Sequence, residues 1–113
     1  MKITTLCAVA AMAMLTVGCA GRASSIAPTA IASTDYSNMS CEASREALVG
    51  ARAREAALAR RQNRAATVDA AGVALLFLPL GSVFGGDVAG ELAQAKGEVA
   101  ALERHIVNRC APT

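Results

Sequence analysis

The chain has 113 residues, a formal net charge of +2 and a hydrophobic content of 54%, much of it alanine. This length allows one small domain at most, and the weak positive charge argues against a nucleic-acid-binding protein. With one tyrosine, two phenylalanines and no tryptophan, the folded core is expected to be thin, because small domains bury a small share of their surface.

The first 18 residues form an apolar segment typical of an export signal. Lys2 supplies the positive start, and residues 3–17 carry no charge. This run is shorter than the roughly 20 apolar residues that a membrane-spanning helix needs, and it fits the central region of a secretory signal. We therefore predict that residues 1–18 are a removable signal peptide.

The end of this segment resembles the lipobox of bacterial lipoproteins, in which an aliphatic and two small residues precede a cysteine. Here Thr16, Val17 and Gly18 precede Cys19, with threonine where leucine is usual. The resemblance implies cleavage between Gly18 and Cys19 and acylation of Cys19, which anchors a protein stably when several chains are attached. Because Ala20 and not aspartate follows, it also implies delivery to the outer membrane. The alternatives are an ordinary signal peptide cut nearby and an uncleaved membrane helix.

Residues 19–40 follow as a segment dominated by serine, threonine and alanine, with no helical or strand period. This composition predicts a flexible linker. Its 21 residues after the cysteine would have a root-mean-square reach of about 25 Å. The linker would hold the folded part just off a membrane surface.

Residues 41–64 and residues 87–110, each 24 residues long, predict an all-α antiparallel helical hairpin that spans residues 41–110. The first arm is rich in good helix formers, with Ser40 as its N-cap. The second arm carries apolar residues at alternating spacings of four and three, which indicates a helix packed on another helix. This seam consists of Val88, Leu92, Ala95, Val99, Leu102 and Ile106.

The first arm offers a narrower stripe at heptad spacing. Its six arginines exceed its three glutamates, whereas the second arm has three basic and four acidic residues. An antiparallel pair therefore places opposite net charges side by side, which is a mild preference. The stripe consists of Leu48, Ala51, Leu58 and Ala65, with Glu55 and Gln62 as polar exceptions.

Two cysteines mark the outer ends of the arms. With Cys7 in the signal and Cys19 acylated, Cys41 and Cys110 remain, and export would place them in an oxidising compartment. Equal antiparallel arms would bring them together at the base of the hairpin, which predicts a Cys41–Cys110 disulfide. Free thiols and intermolecular bridges are the alternatives. Residues 111–113 form a short tail.

The middle segment, residues 70–86, carries no charge over seventeen positions. We expect the first helix to continue to about Phe77 and the proline and glycines that follow to make the bend. Such an exposed apolar segment marks a contact surface for a partner protein or a second copy; the alternatives are that it dips into a membrane or only packs locally. The predicted contact surface consists of Leu75, Leu76, Phe77, Leu78, Leu80, Val83 and Phe84.

Catalytic and metal-binding patterns are missing from the sequence. The single histidine, His105, is predicted to lie on a helix surface, since its spacing from Cys110 matches no standard zinc site. No nucleophile is paired with a base, and no phosphate-binding or dinucleotide-binding loop is present. We therefore expect no enzymatic activity, no cofactor, no metal and no small-molecule substrate.

The part after the linker resembles a group of small proteobacterial envelope lipoproteins. The likeness rests on YSNMSCE (residues 36–42), GVALLFLP (72–79), ELAQAKGEVAALE (91–103) and the final Cys110. It implies a cysteine-closed helical hairpin with an apolar middle in the cell envelope, and it does not point to any particular activity.

The expected function is therefore that of a membrane-anchored lipoprotein with a structural or adaptor role. Its location would be the cell envelope, at the periplasmic face of the outer membrane. Its partners would be the membrane, through the N-terminal lipid, and an envelope protein or a second copy. The alternative is a membrane-active lipoprotein of the immunity or exclusion type, whose apolar segment enters the inner membrane.

Overall fold

The computed structural model describes residues 19–110. Within that range the chain is built from helices and contains no strands, so the predicted all-α class is confirmed. The predicted signal peptide, residues 1–18, and the tail, residues 111–113, lie outside the described residues. The elements in chain order are two short 3-10 turns, η1 (Ala23–Ser25) and η2 (Ser33–Tyr36), and the helices α1 (Cys41–Leu76), α2 (Leu80–Val83) and α3 (Ala89–Arg109).

Helix α1 forms the long arm. The Ser40 hydroxyl accepts a hydrogen bond from the Ala43 N–H at 3.1 Å, and Glu42 lies in the first turn, so the predicted N-cap is confirmed. The 36 residues of the helix extend over about 54 Å. It ends where Phe77 adopts the left-handed conformation, with φ of 57°, and the Phe77 N–H bonds back to the Val73 carbonyl. The predicted end near Phe77 is therefore confirmed.

The chain then reverses through the predicted proline and glycine bend. Pro79 immediately precedes the single turn of α2. Gly81 lies so close to the backbone of Ala65 in α1 that any side chain would overlap it. Gly85 has a left-handed φ of 75°, a conformation that glycine adopts without steric cost. The bend therefore packs tightly on the end of α1.

Helix α3 returns antiparallel to α1 and brings the predicted seam into the core. The Asp87 carboxylate accepts a hydrogen bond from the Ala89 N–H at 3.0 Å at the start of the helix. Burial removes the apolar seam from water, which is the main favourable contribution to the packing. The buried seam residues are Val88, Leu92, Ala95, Val99 and Leu102, and Ile106 is half-buried.

The two long helices pack through small side chains. Val99 and Leu102 of α3 contact the buried Ala51 of α1, and the half-buried Leu48 and Tyr36 pack against the same cluster. Alanine at the contact lets the helix axes approach closely. The predicted helical hairpin is confirmed.

Opposite charges cross the outside of this hairpin. Arg52 lies 2.6 Å from Glu103, and Arg54 pairs with Glu98. The partners are largely solvent-exposed, except that the Glu98 side chain is mostly covered. Exposed pairs of this kind contribute little to stability. They therefore favour the antiparallel pairing of the two helices but are not the main source of its stability.

The segment 19–40 differs from the predicted flexible linker. It lies along the groove between α1 and α3, where the Thr29 N–H donates to the Ala93 carbonyl at 2.8 Å and the Arg104 guanidinium donates to the Ile31 carbonyl at 2.7 Å. Gly97 leaves room for the Thr29 carbonyl, which a side chain there would overlap. Composition suggested a tether, but hydrogen bonds from the two helices hold the backbone in place.

The docked segment runs in the direction opposite to α1. Its first residues lie beside the bend, where Ala20 packs on Ala65 and Ala66. Its last residues lie near the base, where Tyr36 packs on the Ala51 cluster. Because the segment lies along the hairpin, Cys19 is held at the bend.

Candidate functional site

The start of the docked segment is held by a buried carboxylate. Asp69 of α1 is 1% exposed. Its Oδ2 accepts hydrogen bonds from the Ala20 N–H and the Ser82 hydroxyl, both at 2.6 Å, and its Oδ1 accepts one from the Ser82 N–H at 2.8 Å. One carboxylate thus joins three parts of the chain: the segment after Cys19, helix α1 and the turn α2.

The same bonds keep this carboxylate ionised. Burial alone would raise the pKa of Asp69, because it removes the charged form from water. The hydrogen bonds from Ala20, Ser82 and Gly81 outweigh that effect and lower its pKa below the ordinary value for aspartate. Charge-assisted bonds of this type are stronger than neutral ones, so Asp69 is expected to fasten the site firmly.

A second buried polar side chain repeats this arrangement one heptad earlier. Gln62 is fully buried. Its Nε2 donates to the Gly21 carbonyl at 2.8 Å, and its Oε1 accepts from the Val88 N–H at 2.7 Å. The residue predicted as a polar exception in the stripe therefore satisfies backbone groups of the docked segment and of the start of α3.

Two further side chains extend the attachment. The Asn63 Oδ1 accepts a hydrogen bond from the Ala23 N–H at 3.0 Å. The Lys96 Nζ donates to the carbonyls of Ala23 and Ile26, at 2.6 and 2.8 Å. Residues 20–26 are consequently bound from both long helices.

Cys19, the predicted lipid-attachment residue, lies at the end of this docked segment. Its thiol is free and exposed, so it is accessible to modification. The next residue, Ala20, is buried and bonded to Asp69. Gly18, the other side of the predicted cleavage position, lies outside the described residues. Acylation of Cys19 remains a prediction.

Beside Cys19 the hairpin exposes an apolar surface, which we name the apical patch. Phe77 and Phe84 are 87% and 81% exposed. Leu80 differs from the other residues of this surface: it is half-buried, because its side chain packs against Gly72 of α1. Among residues 19–110, no helix combines the length and apolar character that crossing a membrane requires. The apical patch consists of Leu75, Leu76, Phe77, Leu78, Leu80, Val83 and Phe84, and all except Leu80 are exposed.

The opposite end of the hairpin is closed by a disulfide. Cys41 and Cys110 are bonded, with an S–S distance of 2.12 Å and a Cα–Cα distance of 5.6 Å. The predicted pairing is confirmed. In the chain-entropy treatment, closing a loop of this size contributes about 4 kcal/mol, which is a large share of the stability of a small domain.

The prediction of a surface histidine is wrong. His105 lies on α3 and is 4% exposed, and its Nε2 has no hydrogen-bond partner among residues 19–110. It follows the seam residue Leu102 by three positions, so its ring faces the core side of the helix. In the same part of the chain, no group of three acidic, cysteine or histidine side chains could hold a metal ion.

Sequence reasoning missed the residues that dock residues 19–31. One signal for Asp69 was available: it is the only charged residue between Arg64 and Asp87, and a charge isolated in an apolar stretch needs partners when buried. Gln62 could have been found from its heptad position within the stripe. Gly97 and Lys96 gave no comparable signal, because their partners are backbone groups far away in sequence.

Comparison of the chain with protein-family models, with curated proteins and with solved structures found no match. The resemblance to small envelope lipoproteins therefore remains a prediction.

Proposed function

We propose that the chain is a lipid-anchored protein of the cell envelope with a structural or adaptor role. The observation that carries the proposal is the unequal state of the cysteines: Cys41 and Cys110 are joined, while Cys19 carries an exposed free thiol. A disulfide is typical of an oxidising compartment outside the cytoplasm. Cys19 is thus the cysteine left for an anchor, at the position where the lipobox resemblance expects it.

The proposed location is the periplasmic face of the outer membrane. The residue after the cysteine is Ala20 and not aspartate, and in the lipoproteins that the segment resembles this pattern implies delivery to the outer membrane. We propose no catalytic role, no cofactor and no small-molecule substrate, since the sequence pairs no nucleophile with its single histidine. The protein would then act through its contacts with the membrane and with other proteins.

Metabolic labelling with palmitate tests the anchor. We expect label in the wild type and none in Cys19→Ala. Cys7→Ala provides a matched control, because Cys7 lies within the predicted signal and its loss should leave the label unchanged. Equal labelling of the wild type and Cys19→Ala would overturn the proposal.

The adaptor role would use the surfaces that the hairpin leaves exposed, which include the apical patch, because the apolar seam of α3 is buried inside the hairpin. The partner would be an envelope protein or a second copy. The exposure of the same patch also favours a second candidate: a membrane-active protein of the immunity or exclusion type, inserted in the inner membrane.

Carbonate extraction of Cys19→Ala separates the two candidates. Without the lipid, shallow contact of the apical patch with a leaflet should not withstand carbonate, so we expect Cys19→Ala in the soluble fraction. Retention of this variant in the membrane fraction would favour the membrane-active candidate. Wild-type protein, extracted in parallel, should stay with the membrane in either case.

A further inference from the structure

The apical patch and the proposed anchor lie at the same end of the molecule. Cys19 is joined by one peptide bond to Ala20, whose N–H lies 2.6 Å from Asp69 Oδ2. The same carboxylate bonds the backbone and hydroxyl of Ser82, which stands between the two exposed phenylalanines of the patch in sequence. The anchor and the patch are therefore fastened to one buried side chain.

We propose that the apical patch lies in the membrane leaflet that holds the acyl chains of Cys19, with the disulfide end of the hairpin directed away from the membrane. This inference rests on the proposed acylation of Cys19. It names the bilayer as the occupant of the patch and leaves the rest of the hairpin for protein partners.

The length of free chain supports this occupant. A flexible linker of 21 residues would reach about 25 Å and would let the patch face in any direction. With Ala20 buried and bonded, the free chain is reduced to the single step between neighbouring Cα atoms, about 3.8 Å. Acyl chains inserted in a bilayer would hold the adjoining patch against the same bilayer.

The distribution of charge along the chain indicates how deeply the apical patch would enter the leaflet. Residues 70–86 carry no charge, and the charged residue that interrupts the stretch before them, Asp69, is buried. On α1, residues 70–76 extend over about 10 Å, and the turn that carries Val83 and Phe84 folds back to Ala65, on the water side of this stretch. This length matches the 5–10 Å to which interfacial apolar segments enter a leaflet. It is also far short of the roughly 30 Å of a bilayer crossing.

Exposed charged residues lie on both long helices next to the uncharged segment 70–86. Arg61 and Arg64 on α1 and Asp87 and Glu91 near the start of α3 are exposed, and the Arg61 guanidinium donates to the Gly85 carbonyl at 2.9 Å. Long arginine side chains can keep their charge at the headgroup level while the bend beneath them is covered by lipid. The change from apolar to charged surface thus marks the expected water boundary.

Tryptophan fluorescence tests the inference, because the chain has no tryptophan of its own. Phe77→Trp and Leu75→Trp each place one reporter in the part of the patch that lies beyond Asp69, where both residues are exposed. Val107→Trp is the matched control, since Val107 is 79% exposed on α3 near the disulfide end. The full chain is expressed with export, purified with its lipid, and reconstituted into vesicles with and without brominated phospholipids, which quench nearby tryptophan. Mass spectrometry of the N-terminal peptide reports acylation of the same samples.

We expect acylated protein in which the patch tryptophans lose most of their emission in brominated vesicles and the tryptophan at 107 keeps its emission. Acylated protein whose patch tryptophans are quenched no more than the control would overturn this inference and leave the proposed anchor intact. A third outcome would assign the patch to a second copy and also overturn the inference. In it, the patch tryptophans emit as if shielded from water, their emission is the same with and without brominated lipid, and crosslinking gives dimers. An unmodified N-terminal peptide would refute the proposed function, and the inference with it.

Discussion

Replacing Asp69 with asparagine should loosen the segment after Cys19 while the hairpin stays folded. The carboxylate accepts bonds from the Ala20 N–H, the Ser82 N–H and the Ser82 hydroxyl. Asparagine keeps one acceptor oxygen and replaces the other with an amide group that only donates. The Ser82 hydroxyl can rotate to accept from that amide, but a backbone N–H cannot. In either orientation of the amide, one backbone donor loses its partner.

The magnitude follows from that count. A buried donor without an acceptor costs about 1–3 kcal/mol. The Asp69 to Ala20 bond is buried and short, at 2.6 Å, so its loss should be felt in the docking of the segment. A change of 1–3 kcal/mol raises the open population of the segment about 5- to 140-fold.

Limited trypsin digestion measures this opening directly. Arg22 is exposed and lies between Gly21 and Ala23, two residues that are bonded to the helices. Cleavage after Arg22, followed by mass spectrometry, should accelerate by the factor above in Asp69→Asn. Asp35→Asn is the matched control, because Asp35 is exposed and surface substitutions usually change stability little. Equal cleavage after Arg22 in the two variants would refute the reasoning.

The pH dependence of the stability difference between wild type and Asp69→Asn tests whether Asp69 is ionised. The pKa of Asp69 is lowered in the folded protein, so its stabilising contribution is fully present above the pKa of an unfolded aspartate, about 3.9. It is lost as the pH falls through the lower folded value. The difference in urea midpoint between wild type and Asp69→Asn should therefore be constant from pH 7 to about 4 and shrink below it. A difference that grows on acidification would contradict the ionised state.

Three other changes probe the remaining attachments. Gly97→Ala should loosen the docked segment by about 1–3 kcal/mol, because the new methyl group overlaps the backbone of that segment. Gly90→Ala is the control on the same helix: it has open space around it and should gain up to about 1 kcal/mol from helix propensity. Urea denaturation compares the two variants. Lys96→Met should speed trypsin cleavage of the segment, since it removes two bonds to carbonyls, and unchanged cleavage would show that these bonds are dispensable. The double variant of Cys41 and Cys110 to serine should lower the free energy of unfolding by about 4 kcal/mol, and reduced wild type should match it; a smaller shared loss would mean that the hairpin retains structure when unfolded.

The helices could be predicted because their information is local. The alternating spacing from Val88 to Ile106 depends on one helix meeting another, and it predicted which side of α3 is buried. Ser40 and the end near Phe77 followed from capping chemistry and from the proline and glycines beyond. The disulfide followed from arms of equal length, and the predicted continuation of the first helix accounts for its 12 residues beyond residue 64.

The path of residues 19–40 could not be predicted in the same way. Its stabilising contacts join backbone groups of a segment without periodicity to side chains 40 or more residues away, as between Ala23 and Asn63. Small residues in the segment look like a linker by composition, but they also allow it to lie close to the helices. His105 was misplaced for a related reason, because a polar side chain at a core-facing position was assigned to solvent.

The docked segment changes what a lipid anchor would do for this protein. A free tether would separate anchoring from orientation, and the hairpin could tumble within its reach. Because Asp69 and Gln62 fasten the chain directly after Cys19, the proposed anchor and the long axis of the hairpin would move as one body. Helix α1 extends over about 54 Å, so with about 10 Å of it in the leaflet the disulfide end can stand up to about 40 Å from the membrane. Orientation of that end would then depend in large part on two buried polar side chains, and Asp69→Asn would loosen the orientation while keeping the lipid.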